Sequence, residues 1–181
     1  WTAVDGAVVG DNTDAAGFDA AARKLFSGPP KPRVVATLGA GGGAAAVLHA
    51  LESWDAPETR VYSRRMERAT SLVSRVGAFA KASETIAEAV RGATLIVNAT
   101  PIGMNDDTLP VAIDAIDPGA AVIDLVYKKG ETAWVRAARA RGHMAMDGLT
   151  MLVEQGAAAF ERWFSVQPDR EAMWAALGES R

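Results

Sequence analysis

The glycine-rich segment at residues 39–44, with the sequence GAGGGA, has the residue types of a phosphate-binding turn. It follows a short apolar run at Val34–Leu38 and precedes an alanine-rich stretch, so it would join a buried strand to a helix. In a dinucleotide-binding turn, Gly39 allows the tight bend, Gly41 lets the backbone approach a pyrophosphate, and Ala44 lets the helix pack on the strand. Backbone N–H groups at the helix start would then hold the anion. The alternative is a strand-to-helix turn that binds no ligand.

A basic cluster of Ser63, Arg64, Arg65 and Arg68 stands where a second strand would end. Domains that bind NAD place an acidic residue there for the ribose 2′-hydroxyl, whereas here Glu67 falls inside the following helix. Guanidinium groups form forked hydrogen bonds with a phosphate. The alternative is a basic surface helix, although arginine near a helix N-terminus opposes the macrodipole. The cluster therefore favours NADP over NAD as the cofactor.

Strand and helix patterns alternate along the chain and predict how these residues are held together. Apolar runs predict strands at Val34–Leu38 and at residues 94–98 and 121–125, and two further short strands are predicted at residues 60–63 and 143–145. Helical spacing predicts helices at residues 43–54, 66–76 and 131–141, with outer helices at residues 15–26 and at Leu149–Phe164. This order predicts an α/β fold with a doubly wound parallel sheet, which is Rossmann-like.

Composition and charge exclude several functional classes. The net charge is −3 and 49% of the residues are hydrophobic, so we expect a globular protein that gathers neither nucleic acid nor anionic lipid. The chain contains no cysteine and only two histidines, His49 and His143, so we expect no metal site. No apolar run reaches the ~20 residues that cross a bilayer. A soluble, cytoplasmic protein is the default expectation.

Four further segments, taken in order, resemble the shikimate dehydrogenase family. They are GDNTD at residues 10–14 followed by Gly17 and Phe18, VNATPIGM at residues 97–104, DLVY at residues 124–127 followed by Thr132, and DGLTMLVEQ at residues 147–155. The family often has glycine, proline and glycine where Ala15, Lys129 and Thr150 stand here. None of these departures removes a chemical group that the family's mechanism uses.

The resemblance implies reversible reduction of 3-dehydroshikimate to shikimate by NADPH. It makes Asp14 the catalytic carboxylate, which also contacts the substrate, and it places Tyr127 and Gln155 on the substrate's hydroxyls or carboxylate. Together, the glycine turn, the basic cluster and the family motifs predict these cofactor-binding residues: Gly39, Ala40, Gly41, Gly42, Gly43, Ser63, Arg64, Arg65, Arg68, Thr100, Leu125, Gly148 and Met151. Without the resemblance, Asp14 would be interpreted as a helix cap. Leu125 and Met151 would equally suit a hydrophobic core.

The family also carries an N-terminal substrate domain with a serine pair and an acid–base lysine, and no segment here matches it. Because residue 1 is a tryptophan, we expect the chain to begin within a longer protein. We expect residues 1–14 to be the end of the substrate domain and an interdomain segment. Residues 15–148 would form the NADP-binding domain with a leading hinge helix, and residues 149–181 would form helices that pack back toward the substrate domain. Alone, the chain is expected to be inactive.

Three other functions stay open at this point. A quinate/shikimate dehydrogenase that uses NAD is disfavoured by the arginines of the basic cluster. A non-catalytic relative that binds a nucleotide or a metabolite is disfavoured, though not excluded, by the presence of Asp14 and Gln155. An unrelated Rossmann domain, such as a folate dehydrogenase or a tRNA-linked reductase domain, would lack the NTD and DGxxMLxxQ segments. The oligomeric state is open too, with a homodimer as one option.

Overall fold

The computed structural model describes residues 6, 8, 10–55 and 58–178. The strands are β1 (Val34–Leu38), β2 (Glu58–Tyr62), β3 (Ala80–Ser83), β4 (Leu95–Asn98), β5 (Ala121–Asp124) and β6 (Ala145–Met146). The helices are α1 (Asp14–Leu25), α2 (Gly42–Glu52), α3 (Met66–Val73), α4 (Ile86–Val90), α5 (Ala133–Ala140), α6 (Leu149–Phe164) and α7 (Arg170–Ala176), with a 3₁₀ turn at Ile113–Ala115.

The strands form one six-stranded sheet in the order β3-β2-β1-β4-β5-β6, and every neighbouring pair is parallel. The order reverses between β1 and β4, which is the switch point where doubly wound sheets bind ligands. Leu38 at the end of β1 pairs with Tyr62 on one side and with Asn98 on the other. The loops after β1, β2 and β4 therefore leave the sheet at the same edge. The predicted doubly wound parallel sheet is confirmed.

Helices cover both faces of this sheet, which explains why its central strands are continuous apolar runs. On one face, Ala36, Ile96 and Val122 lie in register and pack with Trp134 of α5. On the other face, the core is built by residues of β1, β4 and β5 together with α1 and α2: Val35, Leu95, Val97, Ile123, Phe18, Val47 and Leu51. Phe18 also stacks on Trp54, with ring centroids 5.5 Å apart. This stacking ties α1 to the segment after α2.

Helix α1 is held against α6 and α7 by one buried carboxylate. Glu154 is 7% exposed and accepts hydrogen bonds from Lys24 of α1 at 2.8 Å and from Arg170 of α7 at 2.9 Å. Burial alone would raise the pKa of Glu154, but hydrogen bonds and charges from Lys24 and Arg170 outweigh it and lower the pKa. Trp174 of α7 packs on α6 beside this ion pair. The carboxylate of Glu154 therefore links all three helices.

Four elements are absent from the sequence-based prediction. Strand β3 lies at the sheet edge. Its sequence, AKAS, has neither the β-branched residues nor the apolar pattern that would predict a strand. Helix α4 has five residues, too few for a periodic signal, and the 3₁₀ turn is shorter still. Helix α7 was also not predicted. The last strand lies at Ala145–Met146 rather than at the predicted residues 143–145, and α2 and α3 end at Glu52 and Val73, earlier than predicted.

Candidate functional site

The glycine turn, which begins at Gly39, lies between the ends of β2 and β4. The N–H of Gly39 donates to the carbonyl of Tyr62 at 2.8 Å, and the N–H of Ala99 donates to the carbonyl of Leu38 at 2.7 Å. Gly39 has a φ of +116°, and a Cβ atom there would lie 2.5 Å from the carbonyl oxygen of Ala99. Only glycine fits this position, because it combines a left-handed backbone with a close approach of the next strand.

The start of α2 opens onto unfilled space. Gly41 is the N-cap residue in an extended conformation, and no side chain of the described residues provides a capping hydrogen bond. A Cβ atom at Gly41 or Gly42 would meet no atom within 4 Å among the described residues. The first-turn N–H groups therefore lack a side-chain acceptor, while the missing side chains leave room for a group to approach the backbone. An anion with a phosphate's acceptor oxygens fits this cradle.

A cavity of about 390 Å³, named here the strand-end cavity, runs along the carboxyl ends of β1, β2 and β4. Eight of the predicted cofactor-binding residues line it: Gly39, Ala40, Gly41, Ser63, Arg64, Arg65, Arg68 and Thr100. Its other lining residues include several that had no assigned role: Leu38, Tyr62, Ile86, Pro101, Ile102 and Pro110. Pro101 and Ile102 fall inside the VNATPIGM segment, so the motif was a signal for them. Ile86 and Pro110 belong to no motif, and only the fold brings them here.

The β2 side of the strand-end cavity is strongly basic. Arg64, Arg65 and Arg68 are all exposed, and within the described part of the chain none of them forms an ion pair. The N–H of Arg65 donates to the hydroxyl of Ser63 at 3.3 Å, which bends the backbone at the end of β2. Three unpaired guanidinium groups beside a cavity suit a multiply charged anion with several acceptor oxygens.

The remaining predicted cofactor residues lie outside the lining of the strand-end cavity. Gly42 and Gly43 are the first residues of α2, and a Cβ atom at Gly43 would lie 3.2 Å from Cδ1 of Leu125. A Cβ atom at Gly148 would lie 2.3 Å from the carbonyl oxygen of Leu125. Leu125 and Met151 pack against the same hydrophobic core. The structure thus gathers these residues where α2 and α6 begin, beside the end of β5.

A second cavity, of about 280 Å³ and named here the helix-start cavity, lies between the beginning of α1 and the middle of α6. Asp14 and Gln155 both line it, although they are distant in sequence. Thr13 joins them through a hydroxyl that lies 3.5 Å from Oε1 of Gln155. Asp11, Asn12 and Arg162 complete its polar wall, and Arg162 forms an ion pair with Asp11. Because the charge of Asp11 is paired with Arg162, the wall offers neutral amide and hydroxyl groups beside the carboxylate of Asp14, which suits a small polyol.

Asp14 does not cap α1. The N-cap residue is Thr13, and the N–H of Asp14 instead donates to Oδ1 of Asn12 at 2.7 Å. Asp14 is the first residue of the helix, where its negative charge is favoured by the macrodipole. Its carboxylate lines the cavity rather than closing the helix turn. Tyr127, in contrast, lines neither cavity and is 47% exposed in the segment after β5.

A buried polar network, to which the sequence alone assigned no role, adjoins the wall of the strand-end cavity formed by Thr100 and Ile102. Asp124 is 1% exposed and accepts hydrogen bonds from the amide of Asn98 at 2.8 Å, the hydroxyl of Thr132 at 2.8 Å and the N–H of Val126 at 3.1 Å. Burial raises the pKa of Asp124 above its ordinary value. The three hydrogen bonds lower it in part, and the nearby carboxylate of Asp147 raises it further.

No group of three or more histidine, cysteine, aspartate or glutamate side chains among the described residues is placed to hold a metal ion. No helix in that part of the chain combines the length and the apolar character that a bilayer span requires.

Two family models match the chain. The model described as Shikimate 5′-dehydrogenase C-terminal domain matches residues 148–177, which comprise α6, α7 and the turn before them. The model described as NADP oxidoreductase coenzyme F420-dependent matches residues 34–128, slightly more than half of the chain. That second match runs from β1 to the segment after β5, so it covers the glycine turn, the basic cluster and most of the sheet.

The relatives extend this similarity over almost the whole chain. A shikimate dehydrogenase (NADP(+)) from Rubrobacter xylanophilus is 43% identical over 180 residues, which cover 96% of this chain and 63% of the relative. The Thermus thermophilus shikimate 5-dehydrogenase, solved with NADP(H) and shikimate, is 37% identical with a TM-score of 0.80, over 96% of this chain and 64% of that one. A quinate dehydrogenase from Corynebacterium glutamicum, solved with NAD, is 28% identical with a TM-score of 0.84, over 95% of this chain and 64% of that one.

The chain matches only part of the length of each relative. The chain spans about three fifths of the length of the relatives it matches, although nearly all of its own residues are aligned. The C-terminal model falls on α6 and α7, at the end of the described residues. The chain belongs to the shikimate dehydrogenase family, in which it corresponds to the C-terminal portion, and its residues 34–128 carry the domain of the NADP oxidoreductase model.

Proposed function

We propose that this chain binds NADP(H) in the strand-end cavity and serves the reversible reduction of 3-dehydroshikimate to shikimate. The observation that carries the proposal is the position of the arginines of the basic cluster. They share one cavity with the glycine turn, at the switch point of a doubly wound sheet. This arrangement offers one site for a pyrophosphate and another for a second phosphate on the adenosine side.

The orientation of the dinucleotide follows from the sheet order. In this fold the adenosine half lies over the strands on the β2 side of the switch point, and the other half lies toward β4 and β5. Ser63, Arg64, Arg65 and Arg68 follow β2, where the ribose 2′-position would lie. Thr100 and Ile102 follow β4 and would border the nicotinamide half. When bound, the nicotinamide supplies or accepts the hydride.

The helix-start cavity is the proposed substrate site. Asp14 would accept a hydrogen bond from the reacting hydroxyl and favour the charged form of an acid–base lysine beside it. Gln155 would bind a substrate hydroxyl through its amide, and Thr13 would hold that amide in place. Specificity for a polyol depends on such neutral donors and acceptors, because each one left unpaired costs binding energy. Tyr127 lies outside this cavity, exposed in the segment after β5.

The remaining residues of the family's site are proposed to come from a substrate domain that precedes these residues. Relatives are longer than this chain by more than a third of their length, which leaves room for such a domain. Several aromatic and apolar side chains near the end of α6 are exposed and would suit its packing: Phe160, Trp163, Phe164 and Val166. The proposed division is residues 1–14, 15–148 and 149–181, of which residues 1–5, 7, 9, 56, 57 and 179–181 lie outside the described residues.

The alternative that keeps support is quinate oxidation with NAD, because a quinate dehydrogenase solved with NAD shares this fold closely. The two alternatives differ at the end of β2. A site for NAD is expected to place an acidic residue there, and Ser63, Arg64 and Arg65 occupy that region instead.

Calorimetric titration of the chain with NADP and with NAD tests the proposal directly. We expect NADP to bind at least about tenfold more tightly, because a charge-assisted hydrogen bond to the 2′-phosphate contributes about 1.5–3 kcal/mol. Equal affinities would point to the NAD alternative. No binding of either nucleotide would contradict a dinucleotide site in the strand-end cavity.

A further inference from the structure

The carboxylate of Asp124 links two segments that border the proposed dinucleotide site. Asp124 ends β5 and is itself buried, between the buried Ile123 and the half-buried Leu125. Its Oδ1 accepts hydrogen bonds from Nδ2 of Asn98 and from the N–H of Val126, and its Oδ2 accepts from the hydroxyl of Thr132. Both oxygens are therefore engaged, by one donor from the end of β4 and two donors from the segment between β5 and α5.

Asn98 extends this network to the loop after β4. Its Oδ1 accepts hydrogen bonds from the hydroxyl of Thr100 at 2.6 Å and from the N–H of Thr100 at 3.0 Å, and its Nδ2 also donates to the carbonyl of Ile102 at 3.2 Å. The hydroxyl of Thr100 in turn accepts from the N–H of Ile102 at 3.2 Å. Thr100 and Ile102 line the strand-end cavity. Side-chain hydrogen bonds, rather than strand pairing, thus shape this wall.

The other branch of the network fixes the segment after β5. The N–H of Val126 donates to Asp124, and the carbonyl of Val126 accepts a hydrogen bond from the N–H of Gly148 at 3.0 Å. Thr132 caps α5, where its hydroxyl accepts from the N–H of Val135 at 3.3 Å. The segment that carries Tyr127 is thereby anchored at both of its ends. One carboxylate sets the position of this segment and of the β4 loop together.

We propose that Asp124 is a positioning residue for the nicotinamide half of the dinucleotide, acting through Asn98 on the wall formed by Thr100 and Ile102. This inference rests on the proposed NADP site. The network lies on the β4 and β5 side of the switch point, whereas the adenosine half belongs to the β2 side. Loss of Asp124 should therefore weaken contacts to one half of the ligand and spare the other.

The experiment compares two probes by calorimetry on the chain and its variants. NADP carries both halves, whereas adenosine 2′,5′-bisphosphate carries the adenosine and its 2′-phosphate without the nicotinamide. Asp124→Ala removes both acceptors, and we expect about a tenfold loss in affinity for NADP with less than about a threefold change for the bisphosphate. Asp124→Asn keeps the shape and one acceptor oxygen, and the Thr132 hydroxyl can turn to accept from the new amide. It should therefore bind both probes within about threefold of the parent.

If Asp124→Ala does not fold, a second variant tests the positioning role of Asp124. Thr132→Val removes one hydrogen bond to Asp124, and we expect about a fivefold loss for NADP alone. Asp169→Ala is the matched control, because it removes the cap of α7, a helix that packs on α6 and contributes no residue to the network, and it should alter neither affinity.

The outcomes separate the two proposals. Equal losses for both probes, or no loss for NADP, would show that Asp124 is only structural and would overturn its positioning role. Equal affinity of the parent for the two probes would also overturn it, since the nicotinamide half would then have no contacts to position. A parent chain that binds neither probe would remove the proposed NADP site, and the role of Asp124 with it.

Discussion

Gly17 of α1 lies directly against Gln155 of α6. A Cβ atom at position 17 would lie 2.7 Å from Cβ of Gln155 and 2.9 Å from the carbonyl oxygen of Met151. A hydrogen atom is therefore the only substituent that fits where the two helices cross. Asp14 lies one turn before Gly17 on the same face of α1, which explains why it meets Gln155 in the helix-start cavity.

Gly17→Ala is expected to destabilise the chain by about 1–3 kcal/mol, because the added methyl group forces α1 away from α6. Chemical denaturation monitored by tryptophan fluorescence measures this change. Gly156→Ala is the matched control, since its Cβ would contact only the flexible end of Met173, at 3.2 Å. Helix propensity then makes that variant neutral or more stable by up to about 1 kcal/mol. Similar losses in both variants would contradict the steric argument.

Arg64→Ala is expected to lower the affinity for NADP at least about tenfold while leaving the weaker affinity for NAD nearly unchanged. The reason is that only NADP carries the 2′-phosphate that the guanidinium group would bind. Titration of each nucleotide into the parent and the variant gives both ratios. The preference for NADP should also weaken as salt is added, because the arginines are exposed.

Arg33→Ala provides the control for net charge. Arg33 is exposed and precedes β1, so it lies at the opposite end of that strand from the glycine turn. Its removal lowers the total charge by the same amount but should leave the ratio of NADP to NAD affinity intact. If the ratio of NADP to NAD affinity falls equally in Arg64→Ala and Arg33→Ala, the net charge of the chain, rather than a contact at Arg64, sets the preference for NADP.

The 181-residue chain alone is expected to give no measurable oxidation of shikimate. The described residues that line the helix-start cavity include Asp14 but no lysine, and general acid–base catalysis typically contributes about 100–10,000-fold. Addition of the N-terminal domain of a close relative should restore NADPH formation, which is followed by its absorbance. Rapid turnover by the chain alone would require that the acid–base group lies within these residues, and the assignment of Asp14 would then be wrong.

In the restored enzyme, Asp14→Asn is expected to lower kcat about 100-fold or more, because the amide no longer favours the charged form of a neighbouring lysine. Asp11→Asn is the comparison, since Asp11 lines the same cavity but forms an ion pair with Arg162. Its effect should stay below about tenfold and fall mainly on KM. Equal effects on kcat would indicate that the charge of the cavity matters and not the position of Asp14.

Glu154→Gln is expected to destabilise the chain by about 1 kcal/mol at neutral pH, because the ion pairs with Lys24 and Arg170 lose their charge and both partners are partly exposed. The pKa of Glu154 is lowered in the folded chain, so its stabilisation is fully present above the ordinary glutamate value of about 4.3. That stabilisation is lost as the pH falls through the lowered pKa. The difference between parent and variant should therefore shrink toward zero in acid.

Denaturation curves between neutral and acidic pH check this dependence. A difference that grows as the pH falls would mean that the pKa of Glu154 is raised by its burial rather than lowered by its partners. Arg23, whose exposed ion pair with Asp19 lies within α1, offers a control through Arg23→Gln, which should leave the free energy of unfolding nearly unchanged at every pH.

The parallel sheet and the glycine turn were predictable because their signals are local. The strand Val34–Leu38 and the turn at Gly39 and Gly41 are contiguous in sequence, and a buried parallel strand is apolar along its whole length. The basic cluster was equally visible, since position after the second strand was enough to bring it to the cavity. Strand β3 escaped prediction because it is short and rich in alanine, and pairing with β2 rather than propensity makes it a strand.

The sequence by itself therefore determined the fold class, the dinucleotide turn and the family, because each can be identified from short contiguous segments whose residue types predict a local structure or match a motif. Only the tertiary structure decided which side chains meet. It brought Thr13 to Gln155 across 142 positions and Asn98 to Asp124 across 26, and it left Tyr127 outside both cavities. The physical reason is that such contacts depend on how closely helices pack and how strands are ordered, and hydrogen bonds between distant residues leave no periodic trace in the chain.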